Sequence, residues 1–263
     1  MIKPSVYVTA QRLSREMIKE LQGYATGIFF GDLFCQKRMF ENEWFDVAEL
    51  MSFSKDLGFK TIFQTPAYNT TRTMEETVSL IRKLSESSIL DVVSLHDVGV
   101  MEELHEFPNV ELWWDKFSFN RDIVPNSSLI EFLKSHGISN VELTRPFQAD
   151  EIINQGCGTL LYIYGPDVAS FGRICYTEYF LEEPCERKIL CKNNKPFIAS
   201  IDKVPLQYVA DGYMLLDKSA PIHQISKINS DLLNKLDGFT VYIRDSSEIS
   251  AFDALLKSLF GSK

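Results

Sequence analysis

The chain has 263 residues, 45% of them hydrophobic, and carries 27 Lys and Arg against 36 Asp and Glu, a formal charge of -9. This length and apolar content suffice for the core of one α/β barrel, and the acidity argues against nucleic acid as a partner. No apolar run approaches the ~20 residues of a transmembrane segment, and no charged-then-apolar signal opens the chain, so the expected compartment is cytoplasmic.

Short apolar runs alternate with helical stretches along most of the chain. Residues 5–9 (SVYVT) read as a first strand and 14–22 as a helix. Residues 27–31 (GIFFG) read as the second strand, before a helix over 43–57 that closes at Gly58. Strand 60–64 (KTIFQ) precedes a helix over 74–84, with Thr73 as cap and Glu76 three residues on. Strand 91–95 precedes a short helix over 100–106. Strand 110–114 precedes a helix over 127–136, ended by Gly137. Strand 140–143 precedes a helix over 150–154, and 159–164 is the seventh strand.

Strands rich in Val, Ile, Phe and Tyr, spaced by helices, mark repeated βα units with a parallel sheet. Seven units before residue 165 predict a TIM-like (β/α) barrel rather than an open doubly wound sheet. Residues 238–244 supply the eighth strand, and a helix over 251–260 closes the ring. Between about 165 and 216 the alternation breaks, and 195–201, 204–208 and 212–216 read as strands of a small β-rich insertion after the seventh strand. The expected organisation is a single barrel-like domain over 1–263. No Gly-rich dinucleotide fingerprint or P-loop follows any strand.

Cysteine names the chemistry. Cys175, Cys185 and Cys191 crowd into the insertion, and Cys35 follows the second strand. Loops after barrel strands open on one face, so the fold would bring these four to a common side. Thiolates suit zinc or an iron–sulfur centre, and Lys37, Arg38, Arg173, Arg187, Lys188 and Lys192 would offset their charge. The wide gaps between Cys175, Cys185 and Cys191 are not C-x-x-C knuckles. Spacing alone therefore leaves open a cluster, unligated buried thiols, and zinc. Cys157 lies just before the seventh strand, on the opposite face, and reads as structural.

Other residues are candidates by position. His96-Asp97 closes the fourth strand as a proton-moving pair, or Asp97 caps the next helix and His96 is a satisfied polar residue. His105, His136 and His223 are expected on the surface. Asn120 and Arg145 follow strands and point at the mouth, and Asp32 would orient the loop of Cys35. Lys37, Arg38 and Arg173 suit a carboxylate-rich ligand. Trp113 and Trp114, with Phe117 and Phe119, form an aromatic patch in which alternation sends one tryptophan into the barrel and the other under a helix. No catalytic residue is assigned.

Gly31-Asp32-Leu33-Phe34-Cys35-Gln36-Lys37-Arg38 resembles the glycine–acid–x–x–cysteine–x–lysine–arginine motif of the collagenase-like peptidase family (peptidase U32 type), in its short UbiV-like branch. Phe119-Asn120 resembles the family's asparagine-bearing segment, and Val141-Glu142-Leu143-Thr144-Arg145-Pro146 follows in register. The stretch from Gly165 to Cys175 (GPDVASFGRIC) is similar to the family's glycine-to-cysteine signature. The resemblance spans nearly the whole chain, with a shortened connection between Cys175 and Cys185. It implies a barrel carrying a 4Fe–4S cluster on Cys35, Cys175, Cys185 and Cys191. It also implies a heterodimer with a UbiU-like partner subunit, acting in oxygen-independent aromatic ring hydroxylation in ubiquinone biosynthesis. The substrate would be a small aromatic or prenylated ring, with a prephenate-like oxygen donor. Two alternatives stand beside it: a peptidase-family hydrolase with structural zinc or no metal, and a non-catalytic cluster-bearing subunit. The sequence holds no Ser–His–Asp, Cys–His or H-E-x-x-H signature for the hydrolase.

Overall fold

The computed structural model describes residues 5–10, 13–31, 47–66, 71–104, 107, 109–116, 125–165, 168–171, 197–200, 207–211, 214–217, 228, 230–243 and 246–260. Seven strands come first: β1 (Ser5–Ala10), β2 (Gly27–Phe30), β3 (Lys60–Gln64), β4 (Val92–Leu95), β5 (Glu111–Trp114), β6 (Ile138–Leu143) and β7 (Gly158–Tyr164). Four more, β8 (Val168–Phe171), β9 (Phe197–Ser200), β10 (Gln207–Asp211) and β11 (Met214–Asp217), form a separate antiparallel sheet in the order β8-β11-β10-β9. β12 (Gly238–Ile243) then pairs in parallel with both β7 and β1 and closes an eight-stranded barrel. The fold is thus a TIM-like (β/α) barrel with a small β-sheet inserted after its seventh strand.

The helices are α1 (Arg15–Glu20), α2 (Val47–Asp56), α3 (Thr71–Glu86), α4 (Val98–Leu104), α5 (Ser127–Ser135), α6 (Ala149–Asn154), α7 (Ser230–Leu233) and α8 (Ile249–Phe260). Local chemistry starts several of them. The Ser14 hydroxyl accepts from Met17 N at 3.2 Å, and Asn126 Oδ1 accepts from Leu129 N at 2.9 Å. Asp97 Oδ1 accepts from Gly99 N at 2.7 Å and Val100 N at 3.3 Å, opening α4. Each satisfies a backbone donor that the first helical turn leaves free.

Two expectations need correction. Thr73 does not cap α3, which begins at Thr71. Instead the Thr73 carbonyl accepts from the Thr77 hydroxyl, and Glu76 pairs with Arg72 one turn back. The stretch 168–171, expected only as part of a motif, is a strand, because β11 supplies its antiparallel partner.

Alternation along the strands builds two layers of core. Outward residues such as Val8, Phe30, Phe63, Val93, Trp114, Val141 and Phe239 pack beneath the helices in one continuous cluster. Inward residues Tyr7, Phe29, Ile62, Val92, Trp113 and Leu160 form a second cluster inside the barrel. The two tryptophans divide as period-two geometry requires, and both are buried. Trp113 meets Tyr7 edge-on at 4.9 Å between ring centroids and Phe29 at 6.2 Å. At the N-terminal end of the barrel, Lys60 Nζ lies 2.5 Å from Glu111 Oε2, and Trp113 Nε1 donates to Glu111 Oε1 at 2.7 Å.

Candidate functional site

Above the inner aromatic layer, toward the C-terminal ends of the strands, the barrel interior turns polar. Two residues beyond Tyr7, Ile62, Val92, Trp113 and Leu160 stand Thr9, Gln64, Ser94, Asp115 and Tyr162. On β6 and β12 the outward places belong to Val141, Leu143, Phe239, Val241 and Ile243. Glu142 and Thr240 therefore face inward. All seven of these residues are buried. This is the end of a barrel where catalytic and binding groups gather.

The charged members form one network. Gln64 Nε2 donates to Asp115 Oδ2 at 2.6 Å. His96 Nδ1 lies 3.1 Å from Asp115 Oδ1, and His96 N donates to the Thr65 hydroxyl at 3.1 Å. Lys116 Nζ donates to Glu142 Oε1 at 2.6 Å and stands 4.0 Å from Asp115 Oδ2. The same ammonium lies 4.8 Å from the Tyr162 ring centroid and 5.9 Å from that of Phe29, so its stem crosses the barrel interior. The Lys116 and Glu142 side chains are each 2% exposed, and Asp115 is wholly buried. Burial pushes the Glu142 carboxyl above its ordinary range. The Lys116 ammonium pulls it down, Asp115 pushes it up, and the net direction is upward. Burial thus favours the protonated form of a carboxyl that is hydrogen-bonded to an ammonium.

Two glycines shape the rim. Gly31 ends β2 at φ +108, and a Cβ there would stand 2.4 Å from the Gln64 carbonyl oxygen. Gly165 ends β7 at φ +133, and a Cβ there would stand 2.1 Å from the Tyr162 hydroxyl and 2.7 Å from Tyr242 Cβ. Only glycine fits backbone this close to a neighbouring strand in that conformation.

The candidates from sequence divide into three groups. His96 joins the buried network. Its partner is Asp115 rather than Asp97, which is committed to capping α4. Arg145 follows β6 at the same rim, its N donating to Gln148 Oε1 at 3.2 Å and its Nη1 to the Thr144 carbonyl at 3.2 Å. Cys35, Lys37, Arg38, Asn120, Arg173, Cys175, Cys185 and Cys191 lie outside the described residues, as do Asp32, Phe117, Phe119, His105 and His223. His136, at the end of α5, pairs with Glu102 at 3.0 Å. Cys157 is buried at the opposite end of the barrel, its Sγ 3.4 Å from the Ser139 carbonyl, and burial pushes its thiol upward. Among the described residues no group of three or more His, Cys, Asp or Glu is arranged for a metal ion, and no helix is long and apolar enough to cross a membrane.

Gln64, Asp115, Lys116 and Glu142 were not anticipated. The signal was present in the strand parity. Glu142 occupies an inward place in β6, and Asp115-Lys116 ends the apolar run of β5. A charge at an inward place of a barrel strand is rarely neutral to function.

No protein-family model and no curated protein matches the sequence. Among solved structures, the chain is similar to the U32 peptidase Mk0906, with 9% identity and a TM-score of 0.53 over 92% of this chain and 94% of that one. It is also similar to orotidine 5'-monophosphate decarboxylase from Metallosphaera sedula, with 10% identity and a TM-score of 0.52 over 97% and 98% of the two chains. These likenesses establish the fold: a closed (β/α) barrel of the kind found in a U32 peptidase.

Proposed function

We propose that the chain is an iron–sulfur barrel protein of the UbiV-like kind. It would work with a UbiU-like partner in oxygen-independent hydroxylation of a small aromatic or prenylated ring, with a prephenate-like oxygen donor. Cys35, Cys175, Cys185 and Cys191 would hold a 4Fe–4S cluster, which supplies electron transfer or binds the donor. The observation that carries this reading is topological. β2 and β7 end on one rim, and in sequence Cys35 follows β2 while Cys175, Cys185 and Cys191 follow β7. Four thiolates are the usual donor set for such a cluster. The burial of Cys157 at the far end supports leaving it out of the set. Lys37, Arg38 and Arg173 flank the cysteines and would bind the donor's carboxylates.

The test is iron and acid-labile sulfide content of protein purified without oxygen, with a visible spectrum. About four of each per chain is expected. Cys35→Ala should lose iron although it lies far in sequence from the other ligands, whereas Cys157→Ala should keep it. Zinc alone, or full iron retention in Cys35→Ala, would overturn the reading.

A further inference from the structure

We propose that the C-terminal half of the barrel interior binds a small organic acid or carbonyl compound, whose oxygen is received by Glu142, Thr240 and their neighbouring hydroxyls beside the Lys116 ammonium. This goes beyond the cluster reading and does not depend on it. Four side-chain oxygens carry the argument: Thr9 Oγ1, Ser94 Oγ, Glu142 Oε2 and Thr240 Oγ1. Each is buried and lies within hydrogen-bond distance of no protein group, although the Thr240 hydroxyl stands close enough to the Glu142 carboxyl to pull it down. All four belong to residues facing the barrel interior on the same side of its aromatic layer. Ser94, Glu142 and Thr240 come from alternate strands of the ring, as the side chains of one barrel layer do.

A buried oxygen without a partner destabilises a fold, and native proteins seldom leave one so. Four turned toward one interior call for a polar partner from outside the chain. The kind of partner follows from the donors. Lys116 brings a fixed ammonium into a low-dielectric space, where it favours an anionic or strongly dipolar oxygen. Glu142 Oε1 is occupied by Lys116, while Oε2 is free to carry a proton and donate it. The upward push on that carboxyl supports this. The hydroxyls of Thr9, Ser94 and Thr240 add further donors. A site rich in donors needs a ligand rich in acceptors, and the ring layer of Tyr7, Phe29 and Trp113 offers an apolar floor for its carbon skeleton. Asp115 contributes no free donor, being held by Gln64 and His96.

The experiment is titration of the full chain with sodium pyruvate, sodium acetate and acetamide, read by calorimetry and saturation-transfer NMR. The variants are Thr240→Val and Glu142→Gln. At least one probe should saturate the wild-type chain, and Thr240→Val should weaken it about tenfold or more with no fall in melting temperature. Glu142→Gln, which keeps an acceptor for Lys116 and a donor at the Oε2 place, should retain binding. Saturation by acetate but not acetamide assigns a carboxylate ligand, and the reverse assigns a neutral carbonyl. No saturable binding of any probe to the wild-type chain, or equal binding by wild type and Thr240→Val, overturns the proposal. The interior would then be a structural ion pair served by water only.

Discussion

Lys116→Met isolates the electrostatics of the barrel mouth. Methionine keeps most of the stem that crosses Phe29 and Tyr162, so packing changes little. The loss is the ammonium held 2.6 Å from Glu142 Oε1, with both side chains 2% exposed. Removing one partner of a buried ion pair costs about 3–5 kcal/mol, because the other charge is left in low dielectric. Glu142 can escape part of that cost by taking up a proton. Burial already pushes its carboxyl upward, and Lys116 is the chief influence holding it down, so the variant's carboxyl rises further. The sign follows. A carboxyl whose folded-state pKa exceeds its unfolded value contributes stability that is present below the unfolded value and lost as pH rises through the folded one. The deficit of Lys116→Met should thus be smaller at an acid pH than at an alkaline one. Urea denaturation followed by circular dichroism at both pH values measures it. Adding Glu142→Leu should restore stability to the wild-type level or above, since a packed apolar pair often matches a buried ion pair. A Lys116→Met deficit below about 1 kcal/mol at both pH values, or one larger in acid than in base, would refute the reasoning.

Three further outcomes test other parts of the structure. Gly165→Ala forces a Cβ to 2.1 Å from the Tyr162 hydroxyl at φ +133. It should lose at least about 1–3 kcal/mol, and an unchanged melting temperature would show that the rim is not so tight. Asp97→Ala removes the cap of α4 and should cost about 1 kcal/mol, while Asp97→Asn recovers most of it; equal melting temperatures for wild type and Asp97→Ala would count against the cap. For Asp91, burial raises the carboxyl, but bonds from Lys55 at 2.8 Å and from Thr61 outweigh it and hold the group below its ordinary 3.8. That stability is present above the unfolded value and lost as pH falls through the depressed one. Urea midpoints of wild type and Asp91→Asn should therefore converge in acid, and a gap that persists there would contradict the assignment.

The barrel was legible because its signal is repeated and local. Each βα unit carries an apolar strand of fixed parity and a helix of a different period, and helix ends are marked by short-range chemistry such as Ser14, Asn126 and Asp97. The strand over Lys60–Gln64 matches its expected bounds, and the seventh and eighth strands fall within a residue of theirs. The inserted sheet was less legible. Its strands exist only through antiparallel partners, so bounds drifted by up to three residues and β8 was not foreseen. Thr73 misled because its capping pattern is real, yet α3 starts two residues earlier.

The site was less legible than the fold, for a reason that separates its two halves. Cysteines announce themselves by residue type, whatever their neighbours. The network of Gln64, His96, Asp115, Lys116 and Glu142 announces nothing, since each residue type is common and the nearest bonded pairs are 19 to 51 positions apart. What brings them together is register. β3, β4, β5 and β6 pair in order and in parallel, so their C-terminal ends lie side by side on one rim. Inward parity read on every strand at once would have found them, because Thr9, Gln64, Ser94, Asp115, Glu142 and Thr240 put polar atoms where the preceding inward residues are mainly aromatic or aliphatic. That change of character within one barrel, from apolar floor to polar mouth, marks the interior as a place built to hold something other than itself.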